Sequence, residues 1–244
     1  MLKNFLLFFT LSLLAINKIL AQEPAAISLG SFYQQPDLTY YDALEDQHKN
    51  IWLSTDNGLY KFTGSGFKEY VTQEQKSNAF FSLLELEDTI WMVNLYGQLL
   101  KTNQDSLQVV KNIAPYLKGK LAQIHAIENT IYLASQNGLL SYTPKTKKLS
   151  SINKDNILNS WQDKKTQHIY YVTNNNEFKR ITENTIEILS NYKNKNLDFE
   201  KFHYQLFQFK GIIYHTYIDD HNQRILKKWN PDTKQLEVAS FLKD

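Results

Sequence analysis

Cysteine is absent from the 244 residues, which removes disulfide staples, thiolate nucleophiles and a lipoprotein anchor from consideration. Glycine is scarce, at 8 residues, and no phosphate-cradling loop, dinucleotide fingerprint or Gly-x-Ser-x-Gly elbow is present. Excess charge is missing as well. The chain holds 27 basic and 25 acidic residues, and the two lysines of the first 21 residues, Lys3 and Lys18, account for the difference. A balanced remainder offers no electrostatic case for nucleic acid or for an anionic membrane surface.

Long apolar runs are equally rare. One extends from Phe5 to Ile16 behind Lys3, and Ala21 supplies a small residue before Gln22. Residues 1–21 therefore read as a cleaved export signal. Asn17 and Lys18 end the run short of the roughly 20 residues a membrane span requires. No later segment is apolar enough to cross a bilayer.

What the chain does have is a returning phrase: Asn50-Ile51-Trp52, Thr89-Ile90-Trp91, Thr130-Ile131-Tyr132, His168-Ile169-Tyr170 and Ile212-Ile213-Tyr214. The isoleucines are 39, 41, 38 and 44 residues apart, the interval at which a four-stranded sheet is repeated as a propeller blade. Within the first unit, strands are expected at 40–44, 51–55, 59–62 and 67–71, with Asn57-Gly58 read as a two-residue type I′ hairpin turn. The fold expected is all-β, a β-propeller of four-stranded antiparallel blades, about five in number and forming an incomplete ring. Blades are placed at 37–71, 79–110, 121–152, 157–189 and 203–241, with a closing strand at 27–35. An aromatic content of 14% suits packed strands. Trp52, Trp91, Tyr132, Tyr170 and Tyr214 hold equivalent places and read as wedges between blades, each worth roughly 1.5 to 3 kcal/mol when buried. Gly58, Gly97 and Gly138 read as the matching turn residues.

The phrase running from Glu45-Asp46 through Lys49-Asn50-Ile51-Trp52-Leu53-Ser54-Thr55-Asp56-Asn57-Gly58-Leu59-Tyr60-Lys61-Phe62 to Gly66-Phe67-Lys68-Glu69-Tyr70 resembles the two-component regulator propeller repeat. The first unit matches closely, and the later four keep mainly the isoleucine-aromatic pair and the turn. Lys49 stands where that family usually has glycine, and Pro36-Asp37-Leu38 replaces its Gly-Leu approach to the first strand. Phe32-Tyr33 resembles the family's closing strand. The resemblance implies the periplasmic sensor region of a histidine kinase or hybrid receptor, with the kinase lying outside this sequence. It further implies that binding on the propeller biases a cytoplasmic kinase. The alternative is a free-standing secreted or periplasmic scaffold that binds glycan or protein.

Candidate chemistry is sparse. The stretch Ser54 to Gly58 is similar to the Asp-box of sialidase propellers but occurs once, and it reads as turn chemistry. The six histidines lack close metal-ligand spacing, and Asp219, Asp220 and Asn222 read as a solvated hairpin tip. No catalytic residue, metal site or cofactor is expected. Long connections from each fourth strand to the next first strand, together with the turns between second and third strands, should form one face. Tyr116, Lys118, Lys120, Tyr192, Lys193 and Lys195 lie there and are the candidate ligand-binding residues, since aromatics stack on sugars and lysines pair with acidic groups. The partners expected are an oligosaccharide or other small ligand and a second receptor copy, with no nucleic acid.

Overall fold

The computed structural model describes residues 38–239, except 120, 176, 184, 192–204 and 220. The expected signal, the closing strand at 27–35 and four of the candidate residues (Lys120, Tyr192, Lys193 and Lys195) lie outside the described residues.

Among the described residues, twenty strands form five four-stranded antiparallel sheets, each ordered as its strands follow in sequence. The first holds β1 (Tyr40–Glu45), β2 (Ile51–Thr55), β3 (Gly58–Phe62) and β4 (Phe67–Tyr70). The second holds β5 (Phe80–Leu86), β6 (Thr89–Asn94), β7 (Gln98–Asn103) and β8 (Ser106–Asn112). The third holds β9 (Ala122–Ile127), β10 (Thr130–Ser135), β11 (Gly138–Thr143) and β12 (Lys148–Asn153). In the fourth are β13 (Ile157–Gln162), β14 (Ile169–Thr173), β15 (Glu177–Ile181) and β16 (Ile186–Asn191). The fifth contains β17 (Gln205–Phe209), β18 (Ile212–Ile218), β19 (Arg224–Asn230) and β20 (Gln235–Val238). A single helical turn, α1 (Ala114–Leu117), sits between β8 and β9.

First strands pack on first strands: β1 on β5, β5 on β9, β9 on β13 and β13 on β17. These strands therefore line the axis. Among the described elements, β17 and β1 share no comparable contact, so the five blades make an open arc.

The cores lie between blades, which explains why second strands are apolar on both faces. All five residues of β14 are buried. Trp52 packs with Phe80, Leu83, Ile90 and Met92 of the next sheet, and Trp91 packs with Ile124, Ile131 and Leu133. Tyr132 lies against Ile157 and Ile169, and Tyr170 against Leu206 and Ile213. Tyr214 is 6% exposed and stacks on Phe207 of its own sheet, with ring centroids 5.4 Å apart. A lysine from the third strand covers each of the first two tryptophans: Lys61 Nζ stands 5.2 Å from the Trp52 ring and Lys101 Nζ 5.6 Å from the Trp91 ring.

The turn at Asn57-Gly58 differs from the type I′ expectation. Thr55 pairs with Gly58, so the turn residues are Asp56 and Asn57, and neither has positive φ, while Gly58 takes φ 147°. A side chain makes the difference: the Thr55 hydroxyl accepts Asn57 N–H at 3.1 Å and donates to the Gly58 carbonyl at 2.9 Å. Ser135 repeats both bonds at Asn137 and Gly138, while Asn94 accepts Gln98 N–H and Thr173 accepts Glu177 N–H. Asp56 serves a more distant donor than its own turn, accepting Thr39 N–H at 3.1 Å. Paired positive φ values of the type I′ kind occur instead between first and second strands, at Glu87-Asp88 and Lys210-Gly211.

Candidate functional site

A first strand has one edge without a strand partner, and its N–H groups need acceptors. Side chains of the preceding blade supply them. Asp42 Oδ2 accepts Leu83 N–H at 2.8 Å, Ser82 Oγ accepts Ile124 N–H at 3.2 Å, Gln123 Oε1 accepts Ser160 N–H at 2.6 Å, and Asn159 Oδ1 accepts Leu206 N–H at 2.8 Å. In β1, β5 and β13 the register shifts immediately before the acceptor, across Tyr40/Asp42, Phe80/Ser82 and Ile157/Asn159. Such a bulge re-aims the side chain that follows. The register of β9 is unbroken, and there the longer glutamine makes the reach.

The first three of these ties border a cavity of about 1110 Å³ on the axis. Its walls come from the ends of β1, β5, β9 and β13, from the turn after β13 and from Thr182 and Glu183. Inside it, His125 Nε2 lies 2.7 Å from Ser160 Oγ, whose one hydrogen goes to Gln123 Oε1 at 2.9 Å. His125 keeps part of its surface on the cavity, yet desolvation by the surrounding protein holds its pKa down at about 4. It is thus neutral near pH 7 and acts as a hydrogen-bonding group. Gln162 reaches back to β9 of the preceding blade through both amide atoms, accepting Ala126 N–H and donating to the Ala126 carbonyl.

Carboxylates on this arc are tuned in opposite directions. Burial raises the Asp42 carboxyl, against the lowering effect of the Leu83 and Ala43 N–H groups and of Lys164. For Asp46, burial also acts upward, but bonds from Trp52 Nε1–H (2.8 Å), Asn50 and His48 outweigh it and hold the group below the usual carboxylate range. At the opposite end of the fourth blade, Lys179 Nζ sits between Asp155 Oδ2 (2.9 Å) and Glu177 Oε2 (2.8 Å). Tyr171 donates to the same Asp155 oxygen at 2.9 Å, and its phenol is pushed up by burial and by that carboxylate.

The two described candidate residues stand apart from the cavity. Tyr116 belongs to α1 and is 47% exposed, and Lys118 caps the helix in the left-handed conformation. Neither lines the axial space. Near them, Tyr96 is exposed beneath Lys76, whose Nζ is 4.7 Å from the ring centre. Buried Gln98 pins the loop that carries Lys76, accepting Lys76 N–H at 2.7 Å and donating to the Glu74 carbonyl. The axial polar residues were not among the sequence candidates. Their signal is a polar residue, at 42, 82, 123 and 159, placed eight to ten residues before each of the first four phrase isoleucines.

No protein-family model matches the sequence, and no curated protein matches it by sequence. Similarity appears in solved structures. Two are of the extracellular domain of BT4673 from B. thetaiotaomicron, described in one case as a one component system and in the other as a hybrid two component system. The first shares a TM-score of 0.64 at 16% identity, over 85% of this chain and 29% of that one. The extracellular domain of the hybrid two component system BT3049 from the same organism gives 0.57 at 14%, over 81% and 29%. PorZ of Porphyromonas gingivalis, a bacterial surface component of the type-IX secretion system, gives 0.58 at 12%, over 82% and 28%. The chain thus spans less than a third of each of these proteins, and what it shares with them is the propeller fold.

Proposed function

We propose that the chain is an exported, ligand-sensing β-propeller module of a two-component receptor of the two-component regulator propeller type. The observation that carries the reading is the likeness of its five-bladed arc to extracellular domains of two such systems over 81 to 85% of its length. The repeat beginning at Glu45-Asp46 supports it independently. In this reading the propeller has no reaction to perform. Ligand binding stabilises one arrangement of paired receptors over another, and the difference in affinity between the two arrangements is what reaches the kinase.

A second reading is an exported free-standing scaffold that binds glycan or protein, favoured by the shared fold of PorZ. Cell fractionation in the native host separates the two. A receptor module is recovered with the inner membrane and co-purifies with a histidine kinase. Recovery from soluble periplasm or medium, with no associated kinase, overturns the receptor reading in favour of the scaffold.

A further inference from the structure

We infer that the axial cavity is a binding site for a small ligand carrying a protonated amine on a hydroxylated frame, an unacetylated amino sugar being the simplest member of the class. The inference rests on reading the chain as a ligand-binding module and is independent of what the module signals to. It is carried by two features of different origin.

One is the polar inner wall. Ser160 is 4% exposed and is held by Gln123 and His125. Gln123 commits its Oε1 to Ser160, and its amide hydrogens take no protein acceptor among the described residues. Ser82 accepts Ile124 N–H and keeps its own hydrogen to offer. Hydroxyl oxygens of a sugar would meet these donors at fixed positions, because the interblade ties hold the side chains in place.

The other is the charge around the mouth. Glu128 and Glu183 line the cavity and take no ion pair among the described residues. Glu85 adds to the same rim, as does Glu45, which is paired with Lys49 at 2.8 Å, and Lys164 is the opposing charge on the lining itself. A cleft lined by one sign of charge with low-dielectric walls concentrates counter-ions of the other sign. An anionic ligand would be repelled where a cationic one is drawn in. A metal ion does not fit, since no three His, Asp or Glu side chains of the described residues converge closely enough to hold one. At about 1110 Å³ the space admits a molecule of disaccharide size.

Calorimetric titration of the purified full chain with glucosamine, glucose and glucuronate, at low ionic strength and a pH where the amine is protonated, tests the inference. Glucosamine should bind at least about tenfold more tightly than either competitor, and added salt should erode that margin. Glu128→Gln combined with Glu183→Gln should bring glucosamine down to the level of glucose, and Lys164→Gln should tighten it. Both glutamates are exposed, so circular dichroism should find the double variant folded. Tyr116→Ala, on the other surface, should bind as the parent does. Equal affinity for the three probes, preference for glucuronate, no binding of any probe at tens of millimolar, or loss of binding in Tyr116→Ala alone would each overturn it. Fractionation addresses the receptor reading separately, so a failure of one leaves the other readable.

Discussion

Leu83 of the second blade donates its backbone N–H to the Asp42 carboxylate of the first at 2.8 Å, and this bond does for a strand edge what a neighbouring strand does elsewhere. Asp42→Ala leaves that donor without its acceptor in a part-buried setting. The expected cost is about 1 to 3 kcal/mol, read from urea unfolding. Asp42→Asn keeps an acceptor oxygen and should lose less.

Asp42 and Asp46 should leave opposite marks on stability against pH. Folding raises the Asp42 carboxyl, so its contribution is fully present below the unfolded carboxyl value, roughly 3.9, and is lost as pH rises through the higher folded value. Folding lowers Asp46, so its contribution is present above roughly 3.9 and is lost as pH falls through the folded value. Unfolding free energies from pH 3 to 6 should therefore show the deficit of Asp46→Asn shrinking in acid. A deficit that grew in acid would contradict the hydrogen-bond assignment at Trp52.

Gly97 has φ 88°, and an added Cβ would stand 2.8 Å from the Ala114 Cα atom. Gly64 has a similar φ of 84° but open space around it. Gly97→Ala should destabilise by about 2 kcal/mol or more, since backbone must move, whereas Gly64→Ala should cost about 1 kcal/mol from its left-handed conformation. Melting temperatures of the two variants provide the comparison.

Lys179→Met should be among the more damaging single changes. Asp155 and Glu177 would lose the ammonium that lies 2.8 to 2.9 Å from each. A buried ion pair broken from one side costs about 3 kcal/mol, discounted here because the carboxylates are 19% and 22% exposed. The triple change Asp155→Asn, Glu177→Gln, Lys179→Met should recover much of the loss in chemical denaturation.

The blade pattern was legible because burial imposes it. Ile51, Ile90, Ile131, Ile169 and Ile213 recur with an aromatic at the next position, since each second strand packs against a neighbouring sheet and those of the middle three blades have one on either side. Four residues on from the first four isoleucines stand Thr55, Asn94, Ser135 and Thr173, whose side chains organise the following turn. That periodicity was also present, but asparagine-glycine drew the eye toward a type I′ turn that the threonine makes unnecessary. The axial ties were harder to see. Asp42, Ser82, Gln123 and Asn159 share a task and no residue type, because a bulge in the backbone can exchange side-chain length for direction. Tyr116 and Lys118 were chosen because they join an aromatic to a cation in the long connection into β9, and that placement carries no information about which polar groups line the axial space.

Because first strands pack in chain order, β1 on β5, β5 on β9, β9 on β13 and β13 on β17, damage in this arc should have short range. Loosening the bond at Leu83 should speed amide exchange in the first two blades while β15 keeps its protection. Cooperativity then decays with distance along the chain, as it does in a stack of repeats. A molecule bridging all four walls of the axial space would couple blades that otherwise melt on their own schedule.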